Sequence, residues 1–492
     1  MRVQERGDGR LRRRAVAAAG ALVLTGVLSA LVPAPEARAA GAPAVSAPTK
    51  TPGAPGAPDA AAQASAAAAA ATDSTSTRPA LPAPTGPYAV GTVTRHLVDH
   101  ARKDPWKPER GDRQVVISLF YPADREPADR ETAGRETAGR ETAGREPQHR
   151  TARETGPRTA PHMDAASAAH FGSARGAGSF NYHVRPDAAD WTATRTHARV
   201  AVPVAHGSRA LPVVLYSAGL GDPRTWNTGL VEELASRGYV VVTVDHTYDS
   251  SEVRLAGGEL AESVLPTLAG ASPSEIDAAL RTAMRARVDD TRFVLDTLGS
   301  AQWRQGLPRG LGDAVDLRRV GMAGQSAGGF TAAQALHDDR RLKAGINMDG
   351  QMDFPLPDST GSKLSSVARE GVDRPFLLLG SDGPGAADNR ASWASFRQHA
   401  RGWQAELTMA GAEHGTYTDA VSLLPAFARQ GALSEEDLRQ DVGTIRPDRA
   451  VAATRAYVVA FFDRFLKQQD GRLLDGPSPR FPEVGFQGKP TS

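Results

Sequence analysis

The sequence predicts an α/β fold, a mostly parallel sheet covered by helices on both faces. Apolar runs of four to seven residues alternate with segments of helical period, as expected of parallel strands joined by helical crossovers. These runs are apolar at nearly every position, which suits strands buried on both faces. One run leads through a glycine-flanked serine directly into a helical segment.

Residues 115–121 (VVISLFY) read as a strand ending at Pro122, and 212–217 (PVVLYS) as a buried strand. A helix is expected over 230–237 and the next buried strand over 239–244 (YVVVTV). The 274–298 segment carries a long helical pattern, with Ile276, Leu280, Met284, Val288, Phe293, Val294 and Leu298 as its apolar positions. A short strand over 320–323, a helix over 329–336, strands over 344–348, 375–379 and 405–409, and a closing helix over 450–466 complete the series. One α/β domain of about 350 ordered residues accounts for them without a second core.

The ends of the chain and one insertion read differently. Six Arg between Arg2 and Arg14 precede an apolar run over 15–32, then Ala37-Arg38-Ala39. This is the three-part pattern of a cleaved export signal over 1–39, with the Sec and twin-arginine routes both open. The expected location is therefore extracellular. Residues 40–86 are dominated by Ala, Pro, Ser, Thr and Gly, a composition that buries too little apolar surface to offset its ordering entropy and predicts a linker. The folded domain is expected over 87–475, interrupted at about 124–160 by a charge-balanced insertion in which RETAG starts at Arg130, Arg135 and Arg140. Residues 476–492 read as a C-terminal tail.

Composition excludes several functions. With 58 Lys plus Arg against 56 Asp plus Glu the charge is nearly balanced, and loss of 1–39 moves it from +2 to −2; no nucleic-acid partner is expected. The absence of Cys removes disulfides, thiol nucleophiles, Fe–S ligation and Cys-type zinc sites. No HExxH, EF-hand or phosphate-cradling loop occurs, so neither a metal nor an organic cofactor is implied.

The chemistry centres on Gly324-Gln325-Ser326-Ala327-Gly328. Between a strand and a helix, G-x-S-x-G forms a tight turn that aims the serine hydroxyl above the carboxyl end of the sheet. A serine needs a base, and a carboxylate to orient that base, both later in the chain. Only His337, His399 and His414 follow. His337 lies far down the next helix in a polar stretch, and His399 lies among charged residues. His414, in Gly411-Ala412-Glu413-His414-Gly415 past a predicted strand, is the candidate base. Asp349 and Asp382 each follow a predicted strand, and topology leaves both open as the acid. The oxyanion donors are expected to be the backbone N–H groups of Ala327 and of Leu220, in the Ser217-Ala218-Gly219-Leu220-Gly221 turn.

The order of these motifs resembles the platelet-activating factor acetylhydrolase family and its secreted bacterial esterase relatives. The similar stretches are YSAGLGDPRT at 216–225, ELASRGYVV at 233–241, VDH at 244–246, DTRFVL at 290–295, the serine turn, and GINMDG at 345–350. The resemblance implies an α/β-hydrolase fold and an acid at the position of Asp349. Gln325, Ala327 and Ala218 stand where the family often has His, Phe and His, which points to a different pocket. Gln325 and Trp226 are candidates for its lining, core packing being the alternative for Trp226. Asp245 and His246 are read as a structural hydrogen-bonding pair.

Ser326, Asp349 and His414 together predict a secreted carboxylic ester hydrolase acting through an acyl-serine. The resemblance implies lipid or small-molecule esters as substrates, with peripheral lipid contact open. An acyltransferase or peptidase using the same triad, and a noncatalytic cell-surface module, are the alternatives.

Overall fold

The computed structural model describes residues 79–125, 158–383, 386–469 and 472–490. Its centre is an eleven-stranded sheet. The strands are β1 (Ala89–Lys103), β2 (Asp112–Ala123), β3 (Thr159–Pro161), β4 (Arg195–Val200), β5 (Leu211–Ser217), β6 (Val240–His246), then, beyond the separate hairpin of β7 (Glu252–Arg254) and β8 (Leu260–Glu262), β9 (Val315–Gln325), β10 (Leu342–Met348), β11 (Phe376–Ser381), β12 (Gln404–Met409) and β13 (Val484–Phe486). In space they run β13-β12-β11-β10-β9-β5-β6-β2-β1-β4-β3. The six from β12 to β6 are mutually parallel. β2 and β13 flank this block as antiparallel strands.

Alternation along each strand sends side chains to two apolar layers. From β5, Val214 and Tyr216 enter one layer and Leu211, Val213 and Leu215 the other. Helix α1 (Thr228–Ser236) packs on the first face. Helices α2 (Pro273–Gly299), α3 (Ala327–Asp338) and α4 (Ala386–His399) pack on the second, and α5 (Pro447–Leu466) returns to the first. The long α2 starts at a reciprocal cap: Glu275 N–H donates to Ser272 Oγ, and Ser272 N–H to Glu275 Oε2. Pro273 occupies the first helical position, where a missing N–H costs nothing.

Several boundaries depart from the sequence reading. Residues 79–86, assigned to the linker, belong to the fold: Arg455 donates to the carbonyls of Pro82 and Ala83, and Thr85 bonds Glu233. The tail expected over 476–492 supplies β13, which continues the sheet beyond β12. The β2 strand runs through Pro122 to Ala123, because the proline's missing N–H does not stop pairing with β1. The export signal, the rest of the linker and most of the insertion lie outside the described residues, while 158–160 of the insertion enter β3 and its approach. Residues 251–265 hold the β7–β8 hairpin, in which Glu252, Val253 and Ala261 are buried and the turn over 256–259 is exposed.

Candidate active site

The chain order of the parallel strands reverses between β5 and β9, the switch point where α/β sheets open a crevice at their carboxyl ends. The two turns singled out from the sequence leave the sheet there. Ser326 takes φ 58° and ψ −126° between β9 and α3, a conformation that costs a residue with a Cβ about 1–3 kcal/mol. Packing enforces it. A Cβ on Gly328 would lie 1.9 Å from the Ser217 carbonyl oxygen, and one on Gly324 would lie 2.2 Å from the Gly328 carbonyl carbon. These glycines let the start of α3 press against the end of β5.

Past β10, Asp349 also has positive φ, 56°. The Asn347 side chain staples this turn, accepting from Gly350 N–H at 2.8 Å and donating to the Gly350 carbonyl at 2.7 Å. Asp349 is buried and accepts from His414 Nδ1 at 2.7 Å, Ser381 N–H at 3.0 Å and Asn389 Nδ2 at 3.0 Å. Burial pushes its pKa up, but the hydrogen bond and charge of His414 and the Ser381 donors outweigh burial and hold it below the usual carboxylate range. For His414 desolvation is the largest influence and lowers the pKa, yet the bond to Asp349 and its charge leave the imidazole above its ordinary value. Its side chain is still 53% exposed, so the nitrogen facing away from Asp349 is open to the crevice. Among the described residues no hydrogen bond joins His414 to Ser326. Such bonds are often long before substrate binds.

Asp382 is exposed and accepts from Gly411 N–H at 2.8 Å, which shapes the His414 loop without reaching the imidazole. His337 bonds Asp338 and Glu370, and His399 bonds the Ser395 carbonyl, both on the surface of their helices. Among the described residues the amides of Leu220 and Ala327 donate to no protein acceptor.

Two pocket expectations need correction. Trp226 is 1% exposed, packed among Phe171, Tyr182 and Trp191 with ring centroids 4.7–5.7 Å away; its large apolar surface belongs to the core. Gln325 is also buried and donates through Nε2 to the His414 carbonyl at 3.0 Å. It ties the serine turn to the histidine loop. The polar neighbours of the Leu220 turn come from a segment that carried no motif: Asn181 donates to the Leu220 carbonyl, and Tyr182 OH and Asn181 donate to Asp222, whose carboxyl burial pushes up to about 6.

A second Ser–His–Asp chain lies beneath the crevice. Ser217 Oγ is 3.0 Å from His246 Nε2, and His246 Nδ1 is 3.0 Å from Asp290 Oδ2. All three side chains are buried, and Arg113 pairs with Asp290 at 2.7 Å. Burial lowers the His246 pKa below its ordinary value, against the opposing pull of Asp290. With no access to substrate this chain is structural. Asp245 and His246 do not pair with each other: Asp245 holds Arg224, while His246 faces Asp290.

A serine turn, a His–Asp pair and free amides above a mostly parallel sheet are the arrangement of the α/β-hydrolase class. The family model for "Platelet-activating factor acetylhydrolase, isoform II" matches residues 188–257 and 300–472. A probable 1-alkyl-2-acetylglycerophosphocholine esterase from Arthroderma benhamiae is 28% identical over 287 residues, 57% of this chain and 67% of that protein. The platelet-activating factor acetylhydrolase of Bos taurus is 29% identical over 175 residues, and the match spans 38% of its length. A solved ferulic acid esterase from Streptomyces cinnamoneus aligns with TM-score 0.63 and 32% identity, covering 83% of this chain and 99% of that one. The chain belongs to the platelet-activating factor acetylhydrolase family and is an ester-hydrolysing enzyme.

Proposed function

We propose that the protein is an exported serine esterase in which Ser326 forms an acyl-enzyme. The reading rests on one observation: a serine held at positive φ over the switch point, beside a His414–Asp349 hydrogen bond of 2.7 Å. Ser326 Oγ attacks the ester carbonyl while His414 takes its proton. The Leu220 and Ala327 amides receive the oxyanion, and His414 returns the proton to the leaving alcohol. Water, activated by the same imidazole, then releases the acid. Asp349 holds the imidazole with its proton on Nδ1 and stays ionised throughout.

The family name supports short-acyl esters as substrates. A second reading, esters of aromatic acids, is favoured by the ferulic acid esterase, which is matched over nearly its whole length. The mature protein and Ser326→Ala should be assayed on nitrophenyl acetate, butyrate and octanoate and on methyl ferulate. Turnover by the wild type and loss in the variant to the background set by substrate binding are expected. A wild type that hydrolyses none of them and resists a fluorophosphonate probe would end the proposal. Export predicts a secreted protein whose N-terminus, read by mass spectrometry, follows Ala39.

A further inference from the structure

We propose that Arg287 is a positioning residue for the oxyanion site. The inference rests on the serine-esterase reading above. Arg287 stands on the core-facing side of α2, its side chain fully buried. All five of its N–H donors have acceptors. Nε and Nη2 form a fork on Asp249, at 2.6 and 2.7 Å. Nη1 donates to the Ala218 carbonyl at 2.6 Å and to Ser217 Oγ at 3.2 Å, and Nη2 to the Gly219 carbonyl at 2.9 Å.

Peptide geometry turns these contacts into an orientation. In a planar trans peptide the carbonyl and the next residue's N–H point in opposite directions. Holding the Gly219 carbonyl on the guanidinium therefore aims the Leu220 N–H away from Arg287, and that N–H has no acceptor among the described residues. The cation also polarises the two peptide units it touches, strengthening their N–H groups as donors. Asp249 completes the clamp by accepting from Gly221 N–H at 3.3 Å, and Ser251 N–H donates to the Gly221 carbonyl at 2.8 Å. The turn is thus fixed in place before any negative charge develops on the substrate, the condition under which such donors act most strongly. Stability alone does not explain the pair, since well-packed apolar residues often replace a buried ion pair at little cost.

Arg287→Met alone leaves Asp249 buried and unpaired, so the informative protein is the double variant Arg287→Met with Asp249→Leu. Three quantities are compared with wild type: kcat and KM on nitrophenyl acetate, the inhibition constant of a trifluoromethyl ketone that forms a tetrahedral oxyanion on the serine, and the thermal midpoint. The expected result is a kcat lower by on the order of 10²-fold, as for loss of one oxyanion donor. KM should move little, and inhibitor affinity should fall in proportion to kcat. Arg287→Lys, which keeps the charge but not the fork, should lie between and gives the same kcat and inhibitor readout if the double variant does not fold. A folded double variant with wild-type kcat, or a Lys variant with wild-type kcat and inhibitor affinity, overturns the role of Arg287. An inactive wild type instead overturns the esterase reading on which it rests.

Discussion

At the level of single residues, Asp349 and Asp382 follow adjacent strands and resemble each other in sequence, but their surroundings separate them. Asp349 is buried with three donor residues around one carboxylate; Asp382 is exposed and holds a loop amide. Asp349→Asn should lower kcat by on the order of 10³–10⁴, because the amide no longer holds the productive tautomer of His414. Asp382→Asn keeps an oxygen for Gly411 and should stay within about threefold. Comparable losses in the two variants would sink this assignment. The raised pKa of His414 carries its own expectation. Acylation needs the neutral ring, so kcat/KM should fall as pH drops through a midpoint above about 6.5, while Asp349 remains ionised across that range. A pH–rate profile whose acid limb has its midpoint below about 6.5 contradicts that. Ser326 and His414 were legible because turn chemistry and elimination act on neighbouring residues. Trp226 was ambiguous because a large aromatic near a turn suits a core and a pocket equally, and only packing decides. Arg287 left one sign unread: it lies among Leu280, Met284 and Thr291 on the helical stripe where an apolar residue is expected.

Among the elements, the serine turn shows how closely strand and helix are fitted. The Gly328 Cα lies against the backbone of Ser217 and Ala218, so β5, β9 and α3 meet without side chains between them. Gly328→Ala would set a methyl 1.9 Å from a main-chain oxygen that is fixed in the parallel sheet. The expected destabilisation exceeds the ~1–3 kcal/mol of ordinary overpacking, because backbone, unlike a side chain, has no alternative rotamer. A urea midpoint unchanged from wild type would show that the turn relaxes after all. The same closeness explains which elements the sequence revealed. The central parallel strands announce themselves by continuous apolar runs, whereas β1 alternates between half-buried and exposed positions along much of its length. β13 has three residues, too few for any period, and it exists because β12 offers an edge.

Across the whole molecule, one polar contact between two segments that both lie outside the parallel block should make stability depend on pH. Glu252 on the β7–β8 hairpin is 2% exposed and faces His170, at the end of the short helix Ala165–Phe171, at 3.1 Å. Its Oε1 and His170 Nε2 have no hydrogen-bond partner among the described residues. Burial pushes the Glu252 carboxyl up to about 7, against the pull of His170 and Ser251, with Asp245 adding to the rise. The folded protein therefore holds a proton that the unfolded chain releases near pH 4.5, so this group's contribution is complete below about 4.5 and declines as pH rises to about 7. The full swing is about 3 kcal/mol. Glu252→Gln removes the titration while keeping an acceptor for His170. Its urea midpoint relative to wild type should be higher at pH 8 than at pH 5, with most of the change between pH 5 and 7. Equal differences at the two pH values would mean that Glu252 is ionised in the folded protein throughout, and that its surroundings solvate the charge more than its own burial suggests.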